Sequence, residues 1–388
     1  FKDMALQLLP QLMSTARVKE GERDTILILV ATSGDTGKAA LEGFADAEGI
    51  RIMVFYPDGG VSPVQRLQMV TQAGENVAVV AVRGNFDDAQ RGVKEIFGDA
   101  AMAKELAALH TKLSSANSIN WGRLVPQIVY YFSAYADLLA ESKIAAGDAV
   151  NFTVPTGNFG NILAGYYAKR MGLPVGKLVC ASNANNVLTD FLRTGIYDRK
   201  REFCQTISPS MDILVSSNLE RLLYHLTEDT AQVAAWMREL AEKGTYDASG
   251  LLPVLRENFW AAFTSDMMTE EEIRIVCERT SYTLDTHTAV AYRVAEDYRR
   301  ETGDMRPMIV LSTASPYKFG ASVLHALGKD TDGLDEFTLM ERLHIQSGME
   351  IPARLAALRE AKVLHDGICE RGDMRAAVLS FAGHKKKQ

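Results

Sequence analysis

The strongest constraint on the fold of this chain is a pattern that runs once and then restarts: short, almost wholly apolar β-rich runs alternating with amphipathic stretches of helical length. Residues 25–31 read as a buried strand, 36–48 as a helix, 51–56 as a strand, 63–73 as a helix, 77–82 as a strand and 87–97 as a helix. After a long helix over about 121–142, the pattern resumes with a strand at 149–154, a glycine turn, a helix at 162–171 and a strand at 177–181. A mostly helical segment covers about 217–300, and a strand at 308–312 follows it. Strands buried on both faces and joined by helices form parallel sheets. The expected class is therefore α/β, with two open parallel-sheet domains of unequal size, helices on both faces, a helical insertion and a helical C-terminal extension.

The 388 residues suffice for two or three domains. Forty-two basic against 49 acidic residues leave a net charge of −7, which argues against a broad nucleic-acid-binding face. No apolar run approaches the roughly 20 residues that span a bilayer, so no membrane partner is expected. Cys180, Cys204, Cys277 and Cys369 are scattered without metal-ligand spacing; no metal is expected, and a reduced, cytoplasmic setting is. The first residues, Phe1-Lys2-Asp3, carry no initiator methionine and run directly into a helical pattern, so an N-terminal portion is expected to be missing.

Four segments at strand ends carry chemistry. In Ala31-Thr-Ser-Gly-Asp-Thr-Gly37 the glycines permit a tight turn, while Ser33, Asp35 and Thr36 can cap a helix whose first N–H groups suit an anion. Gly34 and Gly37 are too close for a Walker loop, and Ala39 stands where that motif needs a hydroxyl. Val154-Pro-Thr-Gly-Asn-Phe-Gly-Asn161 repeats the logic; without GxGxxG spacing it fits a monophosphate better than a dinucleotide. Asn117-Ser-Ile-Asn-Trp-Gly-Arg123 offers amides, a hydroxyl and an arginine fork suited to carboxylate or phosphate. Leu311-Ser-Thr-Ala-Ser-Pro-Tyr-Lys-Phe319 places hydroxyls at the carboxyl end of a strand. Standing alone, each is equally an ordinary helix cap or turn.

Taken in order with Phe1-Lys2-Asp3, these motifs closely resemble those of the threonine synthase family, pyridoxal-phosphate enzymes with the tryptophan-synthase-β-like fold (fold type II). The resemblance extends from residue 1 to about 330 and implies a homolog without the family's N-terminal domain. With that fold in view, residues 1–20 and 125–330 are expected to form a large cofactor-binding domain, 21–124 a small α/β domain, and 331–388 an extension. The resemblance implies that the cofactor, pyridoxal 5'-phosphate, is held covalently by the catalytic Lys2. It further implies cofactor contacts from Asp35, Gly157, Asn158, Phe159, Gly160, Asn161 and Thr313, the last facing the pyridine nitrogen. Ser33, Gly34 and Thr36 would meet the substrate, with Ser118, Asn120 and Arg123 seating a phosphate of its own. The chain departs from the family at Ser315, where histidine is common, and at Tyr317. His287, at an expected helix start, reads as a satisfied structural residue.

The function so implied converts O-phospho-L-homoserine and water to L-threonine and phosphate, by a monomer or homodimer. A serine/threonine dehydratase, a cysteine synthase, an O-phosphohomoserine phospholyase releasing 2-oxobutanoate, and a noncatalytic binding protein are the competing readings. The second anion seat sets the dehydratase and the cysteine synthase apart, because only a phosphorylated substrate needs it.

Overall fold

The computed structural model describes residues 2–32 and 34–384, the side chain of Asp87 excepted. Two compact units emerge, one built from the chain up to Pro126 together with the chain from Ile351 onward, the other from Gln127–Glu350.

The first unit begins with α1 (Lys2–Glu20), β1 (Thr25–Ala31), α2 (Asp35–Phe44), β2 (Ile50–Pro57), α3 (Pro63–Val70) and β3 (Val77–Val82). There follow α4 (Phe86–Gly98), α5 (Ala100–Ala108), β4 (Thr111–Ser115) and α6 (Trp121–Leu124). The second unit holds α7 (Ile128–Ala140), β5 (Val150–Pro155), α8 (Gly160–Arg170), β6 (Val175–Ser182), α9 (Val187–Thr194), β7 (Ile196–Asp198) and α10 (Leu219–Thr227). It continues through α11 (Thr230–Lys243), β8 (Thr245–Asp247), α12 (Leu252–Asn258), β9 (Phe259–Phe263), α13 (Asp266–Thr280), α14 (Thr286–Thr302), β10 (Met308–Val310), α15 (Gly320–Ala326) and α16 (Glu336–Ser347). The chain then returns to the first unit with α17 (Ala353–Ala356), β11 (Gly367–Cys369) and α18 (Met374–Gly383).

The first unit's sheet runs β11-β3-β2-β1-β4, with every pairing parallel. Alternation along its central strands sends Ile28, Val30, Ile52 and Val54 to one face, where they meet Leu6 and Leu9 of α1 and Phe44 of α2. Leu27, Leu29, Met53 and Phe55 take the other face with Val93 and Ile96 of α4 and Met374 and Val378 of α18. The second unit's sheet, β10-β5-β6-β9, is also all parallel, and a short antiparallel pair, β7 and β8, lies apart from it. One of its faces packs Val179, Ala181 and Ala262 against Val290, Val294 and Tyr298 of α14.

The two parallel sheets, the helical insertion and the mostly helical C-terminal stretch follow expectation, but the division of the chain does not. Helix α1 packs within the first unit, because Leu6 and Leu9 complete that core. The stretch after 330 divides at Ile351: α16 stays with the second unit, whereas β11 extends the first unit's sheet through β3. The expected helix over 121–142 breaks into α6, a 3-10 turn over Val125–Gln127, and α7. Pro126 explains the break, since it has no N–H to donate and its ring collides with the preceding turn.

Candidate active site

In open α/β sheets ligands bind at the carboxyl edge where strand order reverses. In the first unit the chain moves from β1 outward through β2 to β3, then places β4 on the opposite side of β1. Leu29 of β1 is in register with Ser115 of β4, so Thr32 and Ala116, which follow the two strands, leave the same edge at that reversal. The second unit repeats this device. There the order proceeds from β5 through β6 to β9, with β10 on the far side of β5 and Val310 in register with Thr153. The loop 156–159 and the segment 311–315 accordingly leave the same edge. All four motifs singled out in the sequence thus begin at switch points.

In the first unit Lys2 opens α1 and is half-buried. The helix is held close to α2 because position 43 is glycine: a Cβ there would sit 2.1 Å from Leu6 O. Lys38 Nζ, on the first turns of α2, donates to Asp3 Oδ1 across 2.9 Å. The loop before α2 is shaped by Thr32, whose Oγ1 accepts from Gly34 N (3.0 Å) and Gly37 N (2.9 Å). Gly34 has φ 134°, a backbone state that favours glycine. Asp35 begins α2, and its Oδ1 accepts from Gln65 Nε2 across 3.1 Å; Thr36 follows, half-buried. Ser33 lies outside the described residues.

Ser118 is half-buried in the segment after β4. Asn120 caps α6, with Oδ1 accepting from Gly122 N (2.9 Å) and Nδ2 donating to Ser115 O (2.7 Å). Arg123 is only 7% exposed, and its Nη1 donates to Ala116 O across 3.1 Å. Asn120 and one arm of Arg123 therefore also shape their own loop.

In the second unit Phe159 precedes α8 at φ 61°, a left-handed state unusual for a side chain of that size. Two carbonyls of the loop are turned toward the segment 216–218. Ser216 Oγ donates to Gly157 O at 2.9 Å, and Asn218 donates to Asn158 O through Nδ2 (2.9 Å) and its backbone N–H (3.2 Å). Since the two sides of a planar peptide point oppositely, the N–H groups of Asn158 and Phe159 face away from that segment. The first N–H groups of α8, from Gly160 onward, have no partner within the helix. Tyr131 Oη donates its single proton to Asn161 O (2.7 Å) and lies 3.1 Å from the Asn161 side-chain amide, and burial pushes its phenol well above the ordinary range. Asn161 Nδ2 is buried with no hydrogen-bond partner among the described residues. On the remaining side Gly157 is indispensable, as a Cβ there would stand 2.8 Å from Ser210 O. Oriented donors, a helix N-terminus and an unpaired buried amide together fit a phosphate.

Thr313 is half-buried in the segment after β10. Ser312 Oγ, its neighbour, lies 3.4 Å from Thr288 Oγ1, which donates its single proton to Asp285. His287 Nε2 accepts from Ser210 N across 3.1 Å, as its expected structural role requires. Burial raises the Asp285 carboxyl, but hydrogen bonds and charge from His287, with donors from Thr288, outweigh it and hold the group below its ordinary value. Tyr317 donates to Met349 O, which accounts for a bulky residue at that position. Sequence reasoning missed Ser216 and Asn218; the signal available was Ser216-Ser-Asn218 directly before α10, a run rich in capping residues.

The family follows from likeness to known proteins. The family described as "Pyridoxal-phosphate dependent enzyme" matches residues 1–250, and "Threonine synthase, C-terminal" matches 288–364. Fold and loop together define a pyridoxal-phosphate-dependent enzyme class, whose cofactor is pyridoxal 5'-phosphate. Threonine synthase from Pseudomonas aeruginosa is 43% identical over 330 residues, covering 83% of this chain and 66% of its own length. The crystal structure of PLP-bound threonine synthase from Brucella melitensis superposes with a TM-score of 0.84 at 38% identity, covering 99% of this chain and 76% of that one. The chain belongs to the threonine synthase family. Human threonine synthase-like 1 is likewise 43% identical, over 336 residues and 84% of this chain, but the chain spans only 44% of that relative.

Proposed function

We propose that the protein converts O-phospho-L-homoserine and water to L-threonine and phosphate, using pyridoxal 5'-phosphate. The observation that carries this reading is the placement of anion-suited loops at both switch points: one phosphate seat serves the cofactor, the other the substrate. When bound, the cofactor supplies an electron sink that stabilises carbanions beside the substrate amine. Lys2 Nζ holds the cofactor and, released as a free base, moves the α and β protons of the substrate. A lysine amine does this only when neutral, which requires desolvation or nearby positive charge. The N–H groups of 158–161 and Asn161 Nδ2 bind the cofactor phosphate. Gly157 keeps the loop open, and Asp35 and Thr313 orient the ring. Thr313 offers a neutral hydroxyl to the pyridine nitrogen, which moderates the sink and favours replacement at side-chain carbons over transamination. Ser33, Gly34 and Thr36 hold the substrate carboxylate, and Ser118, Asn120 and Arg123 its phosphate.

The second reading is a phospholyase that binds the same substrate and releases 2-oxobutanoate. Both readings are tested by incubating the cofactor-loaded protein with O-phosphohomoserine and measuring phosphate, threonine and 2-oxobutanoate. Equal phosphate and threonine support the synthase, phosphate with 2-oxobutanoate supports the phospholyase, and no phosphate release rejects both. Lys2→Ala should abolish the visible absorbance of the loaded protein; its retention would reject the lysine assignment.

A further inference from the structure

Arg221, on the first turn of α10, belongs to none of the motifs above, yet it begins a directed hydrogen-bond chain. Its Nη1 donates to Asn218 Oδ1 across 2.7 Å. Asn218 Nδ2 then donates to Asn158 O across 2.9 Å. The peptide that owns this oxygen presents Phe159 N–H on its opposite side. Every link runs in one sense: a cation polarises an amide, the amide polarises a peptide, and the far N–H becomes a stronger donor. Such chains reinforce one another in a partly buried setting more than their separate bonds would.

We propose that Arg221 is a positioning residue for the cofactor, acting through Asn218 to strengthen the Asn158–Phe159 peptide as a donor to the cofactor phosphate. This rests on the reading of residues 157–161 as the phosphate seat. The loop itself does not depend on Arg221 for its shape, because Ser216 Oγ fixes Gly157 O and the backbone N–H of Asn218 also reaches Asn158 O. Changing Arg221 therefore removes polarisation while leaving two braces in place. An arginine is suited to the task because it stays charged at every working pH and holds an amide oxygen in fixed geometry.

The test compares binding of pyridoxal 5'-phosphate with binding of pyridoxal, which lacks the phosphate. Wild-type protein, Arg221→Lys, Arg221→Gln, Arg221→Met and Gly157→Ala are titrated with each. Arg221→Met should weaken the phosphate ester about fivefold, the worth of one ordinary hydrogen bond, and leave pyridoxal unchanged. Gln, which keeps a donor without charge, should fall between Met and wild type, and Lys should lie nearest wild type. The phosphorus resonance of the bound cofactor should titrate at higher pH in Arg221→Met, since the dianion is less favoured. Equal weakening of both ligands would show a merely structural role and overturn the proposal. Gly157→Ala losing the phosphate ester while Arg221→Met does not would overturn the relay and leave the seat standing. Undiminished binding to Gly157→Ala would overturn the seat and the relay together.

Discussion

Asp3 and Lys38 join the first turns of two helices: Lys38 Nζ donates to Asp3 Oδ1 across 2.9 Å, with the two side chains 18% and 32% exposed. The carboxylate also lies where the N-terminal end of α1 favours negative charge. Since Asp3 follows Lys2 directly, this contact anchors the backbone from which the proposed catalytic amine extends. Asp3→Ala should cost about 1 kcal/mol, between exposed and buried pairs. A double-mutant cycle with Lys38→Met, followed by urea unfolding, should return a coupling of similar size. A coupling within error of zero would remove the anchor.

Gly43→Ala should be among the more damaging single-methyl additions. The new Cβ would meet Leu6 O, a backbone atom of α1, and only a shift of the helix could relieve it. We expect a loss of about 2 kcal/mol, as in overpacked cores, despite the gain in helix propensity. Gly98→Ala, at the end of α4 where a Cβ meets nothing within 4 Å, is the control and should be neutral or slightly stabilising. Equal midpoints for the two variants in denaturant would show that α1 is not packed as described.

Those two helices also show what the sequence makes legible. Strands β1 and β3 are readable to the residue because, Thr25 apart, every position is apolar and most are buried. Strand β4, Thr-Lys-Leu-Ser-Ser, sits at a sheet edge with one neighbour, so nothing requires it to be apolar and its pattern is silent. Strand β9 is five residues between helices and falls inside a stretch dominated by helical periodicity. Packing of α1 in the first unit was equally invisible, because Leu6 and Leu9 announce a buried face without saying against what. At the candidate site, glycines and capping residues revealed the loops themselves. The partners that orient them, Thr32, Tyr131 and Asn218, are common residue types whose role exists only once the fold brings them near.

Acid stability should depend on Asp304. Its carboxyl is held far below its ordinary value of 3.8, chiefly by the Arg306 fork (Nη2 to Oδ2, 2.6 Å), against burial and with help from Tyr298 and Asn151. A carboxyl depressed in the folded state stabilises above its unfolded value, and that contribution drains away as pH falls through and below the ordinary range. Urea midpoints should therefore drop as pH is lowered from about 5 toward 2. Asp304→Asn should lose about 2 kcal/mol at neutral pH and show a flatter acid profile. An unchanged profile would place the acid sensitivity elsewhere.

Asn161 offers the sharpest local test of the phosphate seat. Its Oδ1 lies 3.1 Å from Tyr131 Oη, and its Nδ2 is buried without a hydrogen-bond partner among the described residues. Asn161→Asp keeps shape and the oxygen that Tyr131 engages, but replaces a donor with an acceptor that carries negative charge at neutral pH. Asn161→Ala merely removes the donor. If Nδ2 donates to phosphate, Asp should be the worse substitution: alanine should weaken pyridoxal 5'-phosphate binding about fivefold, and aspartate tenfold or more, roughly the added cost of an uncompensated like charge. Pyridoxal should bind all three proteins alike. Were aspartate and alanine equivalent toward the phosphate ester, the amide would be a helix-start residue and the phosphate would have to be held by the backbone alone.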